Sequence, residues 1–171
     1  RRQVPWTCLG GGSNILADDA GYDGLILLVR TTALQRNGTV IRAGAGWDFD
    51  ALVATTLQDG LTGLEFASGI PGTLGGAVVG NAGCYGHEIG EFVREATVLR
   101  PDGRLETVGA DAFAFSYRNS ALKEQPDVVL DVTLELGRGD LAAAGQERDD
   151  HLADRRRKHP VDLPCAGSYF K

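Results

Sequence analysis

The sequence predicts an α+β fold, in which mixed sheets built largely from hairpins are flanked by a few helices. Three observations carry this expectation. Turn signals at Asn37-Gly38 and Pro101-Asp102-Gly103 lie beside short strand-forming runs. Two segments, 48–58 and 141–158, read as helices rather than strands. These elements do not alternate as successive β-α-β units, so a parallel, doubly wound sheet is not expected.

Taken in order, Val4 to Leu9 reads as a short strand running straight into a glycine loop. Leu25 to Val29 is a continuous apolar run, the pattern of a strand buried on both faces. Thr39 to Ala43 is a further strand after the Asn37-Gly38 turn. From Asp48 to Gln58, apolar residues at 49, 52, 53 and 57 predict a helix with Asp48 as N-cap and Gly60 as its stop. Residues 61–90 are glycine-rich and mostly loop, with a short helix around Gly75 to Asn81. Ala96 to Arg100 and Arg104 to Val108 form a hairpin, and Asp111 to Phe115 one helical turn. Asp127 to Leu136 is a strand, and Leu141 to Lys158 a polar helix that Pro160 stops. No internal repeat or flexible linker divides the chain.

At 171 residues the chain has a one-domain length. A net charge of −6 argues against a nucleic-acid footprint. The basic run Arg155-Arg156-Arg157-Lys158 reads first as a solvated helix end. Cys8, Cys84 and Cys165 have no CxxC or metal spacing, so no metal is expected, and they suit a reducing cytoplasm. No apolar stretch has the ~20 residues of a membrane helix. With no methionine and Arg1 first, the chain reads as a fragment or a processed product.

Glycine is the outlier: its 24 residues are about double the usual share of ~7%. Gly10-Gly11-Gly12-Ser13-Asn14 follows a strand, where glycines allow backbone N–H groups to converge on an anion and Ser13 and Asn14 can add side-chain donors. Ser68 to Ala77 has the same character and precedes a helix start. Two such loops suggest a ligand with two phosphates gripped from both sides. The P-loop pattern fails because no Gly-Lys pair occurs, and Gly10-x-Gly12 is not continued as a Rossmann fingerprint. For either loop alone, simple turn chemistry stays an equal explanation.

Together, Leu9 to Asn14, Gly63 to Ala77 and Asn81-Ala82-Gly83-Cys84-Tyr85-Gly86 closely resemble the flavin loops of the UDP-N-acetylenolpyruvoylglucosamine reductase (MurB) family. Tyr117-Arg118-Asn119-Ser120, Arg156 to Pro160 and Ala166 to Lys171 resemble that family's later motifs, in the family's order. The resemblance implies the FAD-binding fold of the vanillyl-alcohol-oxidase-like (PCMH-type) superfamily. Residues 1–30 would be the remainder of a first FAD-binding lobe, 31–159 a second, and 160–171 the start of a substrate-binding lobe. It implies non-covalent FAD, held through Gly10, Gly11, Gly12, Ser13, Asn14, Gly69, Ile70, Pro71, Gly72, Thr73, Gly75, Gly76, Ala77, Asn81 and Gly83. NADPH would be the reductant and the enolpyruvyl ether of UDP-N-acetylglucosamine the substrate, in cytoplasmic peptidoglycan-precursor synthesis in bacteria by a monomer.

By the same resemblance, Arg118 stabilises negative charge developing on the substrate and Ser168 delivers the proton. Lys158 and Tyr117 would contact the substrate. On sequence alone Arg118 reads as a surface ion-pair residue and Ser168 as turn chemistry. Glu65 reads as a loop anchor, Tyr85, Tyr169 and Cys165 as packing, and His87, His151 and His159 as surface histidines. Two departures stand out: the family's acid–base glutamate and its opening strands have no counterpart here, so the 171 residues alone are expected to be inactive. Two other readings remain: an FAD-dependent oxidase or dehydrogenase with another substrate, and a non-catalytic flavin-binding remnant.

Overall fold

The computed structural model describes residues 4–159. Strands β1 (Trp6–Leu9) and β2 (Leu25–Leu28) pair in parallel as a small separate sheet. The chain then builds β3 (Leu34–Asn37) and β4 (Val40–Gly44), the hairpin closed at Asn37-Gly38. Helix α1 (Phe49–Gln58) follows, with Asp48 accepting the Ala51 N–H at 2.9 Å and Gly60 left-handed just past its end. After a 3-10 turn at Glu65–Ala67 comes α2 (Leu74–Gly80), capped by Thr73 and ended by a left-handed Asn81. The two-residue strands β5 (Gly83–Cys84) and β6 (His87–Glu88) lead to β7 (Val93–Leu99) and β8 (Leu105–Gly109). Strand β9 (Val128–Glu135) and helix α3 (Leu141–Lys158) complete the described chain.

The main sheet has the order β3-β4-β9-β7-β8 and all its pairings are antiparallel. One face carries Ile41, Ala43, Ala96, Val98, Val132 and Leu134 and packs with Phe49, Leu52, Leu74 and Val78 of α1 and α2 in the core. Burying each of the larger side chains stabilises the fold by about 1.5–3 kcal/mol. The other face is polar: Arg42 grips Asp131 through Nε and Nη2 at 2.7 and 3.0 Å and reaches Thr97 at 2.9 Å. A register shift between Thr97 and Val98 leaves Leu130 of β9 outside the ladder with β7. Its carbonyl instead receives the Thr31 hydroxyl at 2.6 Å and the Ala45 N–H at 2.9 Å, fastening the segment after β2 to the main sheet.

One expectation is corrected here. The apolar run at Leu25 to Val29 does form a strand, but Leu25, Ile26 and Leu28 are 52%, 44% and 55% exposed. Among the described residues only β1 pairs with it, so a run that reads as buried has no second layer over it.

Candidate functional site

The two glycine loops meet. The Ser13 hydroxyl donates to the Pro71 carbonyl at 3.0 Å. A Cβ on Gly11 would lie 3.1 Å from Gly72 Cα, and one on Gly10 only 2.2 Å from Thr73 Oγ1. Glycine at 11 therefore lets backbone lie on backbone, and glycine at 10 leaves room for the Thr73 side chain. Gly72 adds a second reason: its φ is +119°, and a Cβ there would lie 2.6 Å from Ser13 Oγ.

The N–H groups differ between the loops. Leu74 and Gly75 donate to the carbonyls of Trp47 and Ala45 at 2.9 and 2.8 Å, and Gly76 to the Thr73 hydroxyl at 3.4 Å. Those of Gly10 through Asn14 take no acceptor among the described residues, and residues 11–14 are exposed. A run of unused N–H groups on a glycine loop is a fitting cradle for an anion.

Beside this contact lies a cleft of about 590 Å³ between the β1–β2 sheet and the main body. Trp6, Thr7 and Cys8 form one wall, Ala45, Gly75, Gly76 and Val79 another, and Leu122, Lys123, Gln125 to Asp127 and Val129 the far side. Such a cleft has the size of a cofactor site. Burial pushes the Cys8 thiol up, which keeps it protonated.

The second loop is braced from behind. Asp50 accepts the Gly69 N–H at 2.8 Å and a bidentate pair from Arg148 of α3 at 2.7 and 3.2 Å. Burial alone would raise the Asp50 carboxyl, but the Arg148 and Gly69 hydrogen bonds hold it below its ordinary value. Glu65 is 7% exposed and accepts the Gly63 N–H at 2.7 Å, the anchoring role its position suggests. His151 lies beside it, its Nδ1 at 3.0 Å from the Glu65 carbonyl and its ring stacked on Tyr85 with centroids 3.7 Å apart. His151 is thus not a surface histidine: its side chain is only 14% exposed because α3 turns it onto the loop. Neither Asp50, Arg148 nor His151 is picked out by the sequence, since each reads as an ordinary polar helix position.

Tyr117 and Arg118 sit exposed on a tight turn closed by reciprocal backbone bonds between Ser116 and Asn119. Arg118 itself does not line the cleft, but its carbonyl accepts Lys123 Nζ at 2.5 Å, and Lys123 does. Asn81 is 1% exposed and its amide is engaged within the protein, while half-buried Gly83 pairs with Glu88 in β5–β6. Ile70 and Ala77 contribute to the core. Lys158 is exposed at the end of α3, with Nζ 2.6 Å from Asp154 Oδ2. Lys158 and Arg157 hold the Asp154 carboxyl far below its ordinary value. Ser168, Cys165 and Tyr169 lie outside the described residues.

Residues 1–109 match the family model described as FAD binding domain. Over its full length the chain is 40% identical to UDP-N-acetylenolpyruvoylglucosamine reductase of Streptococcus pneumoniae (strain Hungary19A-6), and it spans 57% of that relative. The crystal structure of UDP-N-acetylenolpyruvylglucosamine reductase (MurB) from Thermus caldophilus superposes with a TM-score of 0.82 at 30% identity, covering 99% of this chain and 62% of that one. A cholesterol oxidase from Brevibacterium sterolicum, at 17% identity and a TM-score of 0.56 over 78% of this chain and 30% of its own, shares the fold alone. Among the described residues no helix is long and apolar enough to cross a membrane.

Proposed function

We propose a flavoenzyme role for this chain from the premise that it belongs to the FAD binding domain family. The reading is that it forms the FAD-holding part of a reductase acting on the enolpyruvyl ether of UDP-N-acetylglucosamine, with NADPH as electron source. The product would be UDP-N-acetylmuramate, a peptidoglycan precursor, made in the bacterial cytoplasm by a monomer. The observation that carries it is the joined pair of glycine loops at the rim of the cleft, one with five N–H groups that take no acceptor among the described residues.

In this reading the Gly10–Asn14 N–H groups hold the cofactor's diphosphate, Gly72 lets the two loops join, and Gly75 and Gly76 of α2 line the cleft beside it. FAD, when bound, carries two electrons from NADPH to the substrate. The chain's own residues answer the charge that follows. Adding electrons to the enol ether drives negative charge towards its carboxylate, and the permanently cationic, planar guanidinium of Arg118 stabilises it. Ser168 supplies a proton to the carbon. A hydroxyl is a weak acid, but a carbanion-like acceptor is basic enough to take its proton when the two are held together. Tyr117 and Lys158 contact the sugar nucleotide, Lys158 after exchanging Asp154 for a phosphate.

Two measurements test this. The full chain mixed with FAD is expected to co-elute with visible flavin absorbance, and a colourless protein would refute the cofactor assignment. In the complete enzyme, Arg118→Ala is expected to leave NADPH oxidation by the flavin intact. It should slow flavin reoxidation by the enolpyruvyl sugar on the order of 100- to 1000-fold, the usual cost of losing a charge-stabilising donor. Equal loss in both half-reactions would sink the role given to Arg118.

A further inference from the structure

We propose that Asn81 is a positioning residue for Arg118, fixing the turn that displays it rather than touching the bound cofactor. The inference rests on the reading that Arg118 meets the substrate.

Asn81 closes α2 in the left-handed conformation, with φ +44°. Its Nδ2 donates to Glu88 Oε2 at 2.6 Å and to the Ser116 carbonyl at 2.9 Å, and its Oδ1 accepts the Gly90 N–H at 3.0 Å. The amide orientation follows from these partners, because an N–H can only face Oδ1. A primary amide has two donors, and both are used inside the protein. Nothing remains for a ligand but one lone pair on a side chain that is 1% exposed. Gly90 preserves the arrangement, since a Cβ there would lie 2.9 Å from Asn81 Oδ1 and 2.7 Å from Phe115 Cγ.

The Ser116 carbonyl is the point at which Asn81 reaches the Arg118 turn. Ser116 and Asn119 exchange backbone bonds at 3.1 and 2.9 Å, and between them Arg118 has φ +56°. A non-glycine residue held there costs free energy and persists only where its surroundings fix it. The opposite flank is also fixed, because the Ser120 hydroxyl donates to the Val79 carbonyl at 2.7 Å. Both sides of the turn are thus fastened to residues 79–81, the C-terminal end of α2. The N-terminal end of α2 meets the Gly10 loop, and its seven residues span about 10 Å. A single rigid rod therefore sets the separation between the glycine loops and Arg118.

The test uses the complete flavin-loaded enzyme with Asn81→Gly, which keeps the left-handed conformation available. A second variant, Asn81→Asp with Glu88→Gln, rebuilds the bonds to residues 88 and 90 and still abandons the Ser116 carbonyl. It decides the matter if Asn81→Gly does not fold. Flavin content and flavin reduction by NADPH are expected to be unchanged. Reoxidation by the enolpyruvyl sugar should fall on the order of 100-fold, the effect of a displacement of ~1 Å at a reacting centre. Combining Asn81→Gly with Arg118→Ala should cost no more than Arg118→Ala alone. Amide exchange at Ser116 and Asn119 should accelerate in both Asn81 variants while that of α1 stays slow. Normal reoxidation in the Asn81 variants beside a crippled Arg118→Ala would overturn the proposal. So would a drop in flavin affinity with unaltered exchange at the turn, which would make Asn81 a cofactor ligand. If Arg118→Ala reoxidises normally, the role of Arg118 falls and the catalytic part of this inference with it. Exchange at Ser116 and Asn119 then still decides whether Asn81 holds the turn.

Discussion

Gly72 is the residue on which the two loops depend most directly. Its φ of +119° and the 2.6 Å from a built Cβ to Ser13 Oγ are independent penalties on any side chain. Strained backbone of this kind costs about 1–3 kcal/mol. Because the strain falls where the loops join, Gly72→Ala is expected to weaken FAD binding at least about tenfold, equivalent to roughly 1.4 kcal/mol, in a flavin-fluorescence titration. Gly103→Ala is the control, since Gly103 is also left-handed (φ +87°) but sits at an open hairpin tip. Equal affinity in the two variants would show that the loop junction does not form the cradle. The glycine runs themselves are legible in the sequence, because close approach of backbone leaves a compositional mark. That Gly11 meets Gly72 is not, since tertiary structure alone sets which loop lies on which. Asn81 illustrates the same boundary: the family resemblance suggests a cofactor ligand, whereas the partners of its amide support the positioning role proposed for it.

Helix α3 shows how an element can be readable in its limits and opaque in its function. Asp140 caps it through the N–H groups of Ala142 and Ala143, and its bounds are those the sequence predicts. Its polar character, however, conceals a packed side: Arg148 pairs with Asp50, which holds the Gly69 N–H, and His151 lies against the Glu65 carbonyl, contacts that a hydrophobic pattern cannot register. The reverse holds for β2, whose apolar run marks the strand correctly and misstates its burial. Asp50→Ala is expected to destabilise the chain by about 1–3 kcal/mol, because it abandons the Gly69 N–H and the partly buried Arg148 together. The pH dependence has a defined sign. The folded-state Asp50 carboxyl lies below its ordinary value of 3.8, so its contribution is complete above that value and is lost as pH falls through the folded pKa. The stability gap between the parent chain and Asp50→Asn, measured by urea unfolding, should narrow as pH drops below 3.8. A gap that widened on acidification would contradict the clamp.

For the whole molecule the decisive feature is that its cleft lies between two sheets that share no strand pairing. The β1–β2 sheet is joined to the main body through the Ser13–Pro71 bond, the glycine contacts and the segment around Thr31. Its outward strand is substantially exposed, so little apolar burial holds it in place. A ligand in the cleft touches both parts and supplies contacts that the protein lacks between them. Binding to the folded state alone at 100 times Kd stabilises by about 2.7 kcal/mol, which for this size raises Tm by roughly 5–10 °C. The gain is expected to be uneven. Amide exchange in β1 and β2 should slow most on adding FAD, because local opening of that sheet now requires losing the ligand, while β7 and β8, which contribute no residue to the cleft lining, change least. Uniform protection across both sheets, or protection confined to β7 and β8, would mean that FAD does not bridge the cleft.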